Sequence, residues 1–590
     1  MVAVILCLIT ALYSGVYATH RQEPVVTSLE PGATIKREIG PDAVHNYRIM
    51  LSTGQYLRVI VDQHGADVVA TLLDPNGRQL IQADGITGAT GAEPLSWIAE
   101  AAGEHRIEIR LSNNKKPTGF YEIRVEALRT PTQTDKDQAA AEKLYSDANQ
   151  LRSQPGADSR RKALEKYEQA LPMFLALHDL ASAHACYFLA GFIYHASGEL
   201  QKALDYYGRA LALSKQLGDK ANEGVLLNNT GGVYDILGEP QKALDYYRQA
   251  LALFSTENDR AVRADTLNNI GVIYYNLSEP QKALDYYNQS LTIKKEVGDP
   301  AKIANTLTNI GNVHTILGEP QRALEYLQQA LELWRKAKDI RGEANTLHYL
   351  GYTYAALGEM KKARDYYDQA LPLRRTAGDR RGEATTLASM AVVVNSLGDR
   401  QKALEYDQQA LELQRKINDR RSEALTVEHI GYLQMLSRDF DRARQYYNDA
   451  LSLSRTVKDK RIEASALQGM ARVERETGDL AAARKDIEAA ISNIEAVRGQ
   501  IDTQMRASYL GVKHDAYQFY IDLLMRQHRL QPDEGDDATA LKVSEQAHAR
   551  SLLDILVEAQ ANIRQGVDPA LLEREHALSQ QINAKAERQI

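Results

Sequence analysis

A 16-residue segment recurs through this chain of 590 residues at a constant interval of 40 residues. GEPQKALDYYRQALAL begins at Gly238 and SEPQKALDYYNQSLTI at Ser278, with no insertion or deletion between them. A fixed period of this length indicates small structural units that bury their apolar faces only against their neighbours. The segments start at Gly198, Gly238, Ser278, Gly318, Gly358, Gly398, Arg438 and Gly478, and residues 160–173 form one more unit in phase.

Each unit predicts two helices. On the first helix, Ile270, Gly271 and Tyr274 fall on one face, and on the second Ala283 and Tyr287 do the same. The small residues let the two helices approach closely, and the aromatic ring fills the space beside them. An aspartate precedes each first helix, where its side chain can cap the free amides. These aspartates are Asp179, Asp219, Asp259, Asp299, Asp339, Asp379, Asp419 and Asp459.

The pattern L-x-x-x-G-x-x-Y followed by A-x-x-x-Y-x-x-A resembles the tetratricopeptide repeat, and the 40-residue period is similar to the longer subtype of kinesin light chains. This resemblance implies an α-helical solenoid, a right-handed superhelix of eight or nine repeats over residues 137–497. It also implies a concave groove that holds a partner protein or peptide.

Asparagines recur at positions expected to face this groove. Asn229, Asn269 and Asn309 have identical phase, and a carboxamide can pair with a peptide unit of any sequence. First helices about 10 Å apart would offer one asparagine to every third residue of an extended peptide. Related adaptor repeats hold peptide backbones with similar asparagine pairs. The resemblance therefore implies partner-binding residues Asn228, Asn229, Asn268, Asn269, Asn309 and Asn312, the alternative being that each one caps or bridges helices within the solenoid.

Asn229, Asn269 and Asn309, together with the equivalent positions of later repeats, are called the asparagine stripe. Its later positions are no longer asparagine, so the peptide-binding section is predicted around residues 225–315. Lys and Arg are absent from the matching positions near Asn229 and Asn309, which disfavours a clamp for a C-terminal carboxylate. The later residues of the stripe are Tyr349, Ser389, His429 and Gly469.

One unit departs from the pattern, because Asp407 occupies the position of Tyr287. An unpaired buried carboxylate is costly. The substitution therefore predicts either a locally weak point or an open face at this unit.

Residues 25–130 alternate with a period of two. Tyr56 to Val61, His105 to Leu111 and Phe120 to Val125 have strand lengths, and about seven short strands predict an antiparallel β-sandwich. The runs LEPGATIKREI, GQYLRVIVDQ and GFYEIRVEAL resemble the prepeptidase C-terminal-like domain, which implies an accessory, surface-binding module. The spacing of the glycines in GITGATGAE is wrong for a phosphate loop, so a plain loop is expected there.

The N-terminus carries an apolar run. Residues 2–18, VAVILCLITALYSGVYA, are uncharged, and Val16 and Ala18 fit a signal-peptidase site, although no Lys or Arg precedes the run. Residues 1–18 are therefore expected to be a signal peptide or a short membrane anchor, with a buried first strand as the alternative. The expected location is exported (periplasmic or extracellular) or membrane-anchored, with the cytoplasm as the alternative.

After about residue 498 the period stops while helical patterning continues to Ile590. SEQAHARSLLDILVEA and GVDPALLEREHALSQQI resemble the connector that precedes the caspase-like CHAT peptidase domain in bacterial repeat proteins. We expect residues 498–590 to be a truncated helical connector, with any catalytic domain beyond residue 590. Neither Cys7 nor Cys186 matches the nucleophile of that peptidase, so no catalytic residue is carried over.

Composition narrows the function. A net charge of −7 argues against a chain that neutralises nucleic-acid phosphates. Two cysteines exclude a disulfide framework or a zinc ribbon, and HExxH, GxSxG and GxxxxGK[ST] are absent. His184 and Cys186 face different ways on one helix, so no metal and no cofactor are expected. The prediction is a non-catalytic interaction scaffold, regulatory or sensory to a CHAT peptidase, the alternative being a free-standing exported or membrane-anchored scaffold.

Overall fold

The computed structural model describes residues 26–84, 90–112, 119–256, 259–498 and 510–548. The chain divides into two compact units, Met1–Phe254 and Ser255–Ile590. The predicted signal or anchor at residues 1–18 and the predicted connector beyond residue 548 lie outside the described residues.

The first unit begins with strands in two sheets. One sheet has the order β1-β3-β8-β5-β6 and the other β2-β9-β4-β7. The strands are β1 (Val26–Ser28), β2 (Thr34–Ile39), β3 (Val44–Leu51), β4 (Tyr56–His64), β5 (Val68–Leu73), β6 (Gln79–Ala83), β7 (Thr90–Ile98), β8 (Gly103–Leu111) and β9 (Gly119–Arg129).

The expected sandwich is confirmed in outline, with two corrections. The described residues hold nine strands rather than about seven, because polar residues hide the alternation of β7: Glu93 and Ser96 are both buried, and Glu93 accepts from Gln63 at 3.0 Å. The sheets are also not wholly antiparallel. β1 runs parallel to β3, with Val26 opposite Asn46, because the chain leaves β1 for the other sheet instead of turning back in a hairpin.

Alternate side chains of both sheets fill one core. In β8 every second residue from His105 onward is buried, and Ile107 and Ile109 are fully enclosed. The hydroxyls of Tyr47 and Tyr121, from opposite sheets, lie 2.6 Å apart and satisfy each other inside this core.

The first unit continues into helices, and the first of them is joined to the sandwich. Glu142 on this helix accepts the Ser96 N–H at 2.7 Å and a guanidinium N–H of Arg58 at 3.2 Å. Ser146 accepts the N–H of Gln82 at 3.0 Å. The helices of this unit are α1 (Gln133–Ser153), α2 (Ala157–Ala176), α3 (Leu180–Ala196), α4 (Leu200–Leu217), α5 (Lys220–Ile236) and α6 (Pro240–Leu253).

The second unit repeats the same helix pair. Each first helix packs on the second helix of its own repeat and on the next repeat. The helices are α7 (Arg260–Asn276), α8 (Pro280–Val297), α9 (Pro300–Ile316), α10 (Pro320–Ala337), α11 (Ile340–Ala356), α12 (Met360–Thr376), α13 (Arg380–Ser396), α14 (Arg400–Lys416), α15 (Arg420–Leu436), α16 (Phe440–Thr456), α17 (Lys460–Thr477), α18 (Leu480–Arg498) and α19 (Leu510–Leu530), followed by helical residues 536–548.

The predicted aspartate caps are confirmed at the start of α3, α5, α9, α11, α13, α15 and α17, where each side chain accepts a backbone N–H. Asp259 is the exception. Its carboxylate instead accepts the backbone N–H and the hydroxyl of Thr256, at 3.0 and 2.7 Å.

Glycine and tyrosine are matched within a repeat. A Cβ on Gly271 would lie 2.6 Å from the ring of Tyr287, so the helices approach as closely as the sequence predicts. Where the tyrosine is replaced by Asp407, alanine takes the glycine position at Ala391. The last repeat pairs alanine with isoleucine in the same two positions, Ala471 and Ile487.

Candidate functional site

The asparagines of the first unit lie side by side on α5. Asn228 and Asn229 are both half-buried, and the amide of Asn228 lies 3.5 Å from the side-chain oxygen of Asn229. Their carboxamides are thus neither sealed in the core nor fully exposed.

In the second unit the asparagines divide into two kinds. Asn268 is buried and accepts from the hydroxyl of Thr306 at 3.1 Å and from the amide of Asn309 at 3.3 Å. Asn312 is buried and donates to the hydroxyl of Tyr275 at 2.9 Å. Asn268, Asn309 and Asn312 therefore all make bonds between neighbouring first helices, which was the alternative to binding, although Asn309 is only half-buried.

Asn269 and Asn309 are half-buried. Asn269 lines a cavity of about 270 Å³ formed by α7, α8 and the repeat that follows. The side chains Asp265, Asn268, Lys294, Lys302, Asn305, Trp334 and Asp339 surround it. Positively and negatively charged side chains therefore lie next to Asn269 in this cavity.

Two lysines in this cavity escaped the sequence analysis. Lys294 has only 4% of its side chain exposed; its ammonium lies 3.2 Å from a carboxylate oxygen of Asp265 and donates to Thr306 at 3.0 Å. Lys302 binds the other oxygen of Asp265 at 2.5 Å. Burial lowers the pKa of Lys294, although Asp265 opposes the shift. The lysines were missed because they come from the second helix and from the start of the next repeat, outside the stripe. The signal was the variable position that holds Phe254, Lys294 and Trp334 in successive repeats.

Buried hydroxyls connect the first helices along the second unit. Thr308 lies 2.9 Å from Thr346, and the hydroxyl of Thr386 lies 3.2 Å from Nδ1 of His348. Burial, with a smaller contribution from Arg374, lowers the pKa of His348 to about 3, so this imidazole is neutral. These groups satisfy one another within the solenoid, and the half-buried side chains above them are what a partner can reach.

Asp407 is buried and paired. Its side chain is 1% exposed, and one of its oxygens lies 2.7 Å from Nδ1 of His429 in the next repeat. Its other oxygen has no hydrogen-bond partner in the described part of the chain. Both sequence expectations are therefore corrected: the face is not open, and the carboxylate is not unpaired, because His429 of the next repeat reaches the space that a tyrosine fills elsewhere.

The electrostatics of this pair oppose burial. Burial raises the pKa of Asp407 and disfavours a charged His429, but the hydrogen bond and charge of Asp407 raise the pKa of His429 overall. Glu428 beside it accepts from the Ser465 hydroxyl at 2.8 Å, and burial raises its pKa as well.

Other candidate groups stay structural. Cys186 is a buried free thiol whose pKa is raised by burial, and burial lowers the pKa of His184. Within the described ranges, no group of three His, Cys, Asp or Glu side chains is placed to hold a metal ion. The described helices also include none with the length and apolarity needed to cross a membrane.

Sequence comparison identifies the repeats in part of the chain. The family described as Tetratricopeptide repeat matches residues 179–256, 262–336 and 342–416. The chain therefore contains tetratricopeptide repeats that form a helical solenoid, preceded by a two-sheet β region. This repeat is in general a non-catalytic fold.

Solved structures with similar helical repeats share little sequence with the chain. A signal transduction ATPase with a tetratricopeptide repeat sensor from Pyrococcus horikoshii is 15% identical over 64% of this chain and 55% of its own, with a TM-score of 0.44. The quorum sensor NprR from B. thuringiensis is 18% identical over 47% and 77%, with a TM-score of 0.41. A putative kinesin light chain from Podospora anserina is 15% identical over 33% and 95%, with a TM-score of 0.28.

No curated protein matches the sequence significantly. Likenesses as distant as those above give no information on function, which has to come from the chain's own residues.

Proposed function

We propose that this protein is a non-catalytic interaction scaffold that holds an extended peptide segment of a partner protein against Asn269 and Asn309 of its second unit. The observation that carries the proposal is the polar cavity of about 270 Å³ that the half-buried Asn269 lines, next to Asn268, to which Asn309 is bonded. Concave polar sites of this kind fix the backbone of a ligand with few directed groups.

The chemistry of the site favours a peptide backbone as ligand. A carboxamide donates and accepts at once, so Asn269 and Asn309 can bond to a peptide group whatever its side chain. Lys294 and Lys302 both bind Asp265, and Asp339 adds a second carboxylate to the lining, so the two cations of the cavity are matched by two anions. The site therefore suits a neutral main chain better than a terminal carboxylate, which requires paired cations.

The proposal can be tested by comparing variants of the half-buried asparagines with a control variant of the buried Asn312. Peptides are first selected from a random library on the whole protein, and their affinity is then measured for a variant with Asn269→Ala and Asn309→Ala. Two lost hydrogen bonds at about 0.5–1.5 kcal/mol each predict a loss of roughly fivefold or more. The control is Asn312→Ala, which breaks the bond to Tyr275 and should lower the melting temperature instead. The proposal fails if the double variant melts at a much lower temperature yet binds normally per folded molecule.

A finer role within this scaffold is also proposed, as the regulatory or sensory part of a CHAT peptidase. Its support is the resemblance of SEQAHARSLLDILVEA and of the sandwich runs to such proteins. Sequencing the source DNA past codon 590 tests it: a continuing frame with a His and Cys pair supports the role. A stop codon there favours the free-standing scaffold instead.

The location proposed for the protein is outside the cytoplasm or at a membrane. Its support is the apolar run at residues 2–18. Cell fractionation of the tagged full-length protein decides it, and a cytoplasmic pool alone would refute it.

A further inference from the structure

The second unit contains a larger cavity, of about 860 Å³, apart from the asparagine stripe. One wall is built by the end of α7, the turn after it and the ends of α8 and α9 next to it. The other is built by the start of α15, the turn between α16 and α17, and the end of α18. The two walls come from repeats far apart in the sequence, which the solenoid places opposite each other.

One wall is strongly basic. Arg421, Lys458, Lys460 and Arg461 line it, with Asp459 as its one lining carboxylate within the described residues. Lys460 pairs with Glu463 at 2.9 Å, outside the lining, and cations still outnumber anions when that pair is counted as neutral.

The carboxylate of Asp459 is fully engaged by its own neighbours. It accepts the backbone N–H groups of Arg461 and Ile462 at 3.0 and 3.3 Å, as the cap of α17. Arg421 binds it at 2.9 Å and the Arg461 side chain approaches it at 3.8 Å. Partial burial favours the protonated acid, but the hydrogen bond from Arg421 and its charge hold the pKa of Asp459 below its usual range. It therefore neutralises one cation and leaves the wall positive.

Lys458 is an exposed cation of this wall. No ion pair to it occurs among the described residues, and its backbone has a left-handed φ of 56° in the turn before α17. The turn thus presents an ammonium group that the protein's own carboxylates do not occupy.

The opposite wall is uncharged. Tyr275, Leu277 and Ile316 line it together with small polar residues and a proline. Leu277 is 37% exposed, and the hydroxyl of Tyr275 is already bonded to Asn312. A ligand between the walls would therefore meet cations on one side and aliphatic surface on the other.

We propose that this cavity binds an acidic peptide segment of a partner protein. Aspartate or glutamate carboxylates face Lys458, Arg421 and Arg461, and an aliphatic or aromatic side chain of the same segment packs on Leu277 and Ile316. The volume falls in the range of cavities that bury a drug-sized ligand, which is enough for a few side chains of such a segment. A single nucleic-acid strand fits less well, since the wall lacks the row of free aromatic faces on which bases stack and the chain as a whole is acidic.

The site is distinct from the asparagine stripe and does not depend on it. A segment bound here would contact α7 and α9 on one side and α15 and α17 on the other. Binding would therefore hold these distant repeats at a fixed separation, which gives the solenoid a way to respond to its partner.

The test uses the full-length protein and a fluorescein-labelled peptide, EDFEELDE, in an anisotropy titration. Lys458→Asp should weaken binding about tenfold, because it reverses the exposed charge in a turn that Asp tolerates. The matched control is Lys338→Asp, since Lys338 has the same φ of 56° in the equivalent turn and does not line the cavity. Binding should also weaken when salt rises from about 50 to 300 mM.

A second pair of variants tests the apolar wall. Leu277→Ser should weaken the same peptide, whereas Leu397→Ser, at the equivalent repeat position and equally 37% exposed, should not. The variant lacking Asn269 and Asn309 should bind the acidic peptide normally. Equal effects of the two lysine variants, or no binding of this peptide while a uridine oligonucleotide of similar charge binds, would overturn the proposal.

Discussion

The buried Asp407–His429 pair makes the stability of the second unit depend on pH in a definite direction. Replacing His429 with glutamine removes a 2.7 Å hydrogen bond to a buried carboxylate. A hydrogen bond to a charged group contributes about 1.5–3 kcal/mol. We therefore expect His429→Gln to lower the free energy of unfolding by about 2 kcal/mol at a pH where the imidazole of His429 is protonated.

The sign follows from the raised pKa of His429 in the folded protein. A raised folded pKa means that the stabilisation is fully present below the unfolded value of about 6.5 and is lost as the pH rises through the folded value. The cost of His429→Gln should therefore be largest near pH 5.5 and smaller at pH 8.5. The charged groups nearest the pair are Glu428 on the same helix and Arg472 on α17, and both remain in the variant.

The assay is urea unfolding of wild type and variant at both pH values, because the difference between them cancels the titration of groups that do not contact the pair. Repeat arrays unfold in parts, so the transition is followed by hydrogen exchange of α14, α15 and α16. His348→Gln is the control with the opposite slope: His348 is neutral in the fold, its pKa lowered to about 3, so its replacement should cost less as the pH falls. A cost of His429→Gln that is equal at both pH values, or larger at pH 8.5, would refute the reasoning.

Three further predictions concern packing. Gly271→Ala should destabilise the array by about 1–3 kcal/mol, and adding Tyr287→Ile should recover part of this loss; strictly additive changes in urea unfolding would contradict the steric explanation. Glu142→Ala should speed proteolytic cleavage between β9 and α1, because Arg58 loses its buried partner at a cost of about 3 kcal/mol; an unchanged cleavage rate would count against this attachment. Cys186 should react with a maleimide only in denaturant, since burial raises the pKa of its thiol, and rapid labelling of the native protein would show otherwise.

Much of the solenoid follows from local sequence. A cap such as Asp219 and a helix start such as Pro280 act within one turn of helix, so their effect is readable from a single unit. The close approach at Gly271 is likewise contained in one repeat and was predicted. The same holds for the strand period of the sandwich.

Contacts between different repeats or different sheets could not be predicted from local sequence. Asp407 and His429 lie in different repeats, and their pairing depends on how one helix pair stacks on the next. Lys294 reaches the asparagine stripe from a second helix, while the parallel placement of β1 depends on a crossover between sheets. In each case the sequence shows the residue type, and only the packing of separate elements shows its partner.

The bridging hydroxyls make neighbouring repeats exchangeable. Thr306 meets Asn268, Thr346 meets Thr308, and Thr386 meets the imidazole of His348. One side of each contact varies in chemistry while the other is always a threonine, and a hydroxyl can donate to or accept from all three groups. A gene that deletes one of the 40-residue units in this stretch therefore still leaves each of these threonines a polar partner at the new junction. These hydroxyl contacts do not fix the order of the repeats, whereas the pair of Asp407 and His429 ties two particular repeats together.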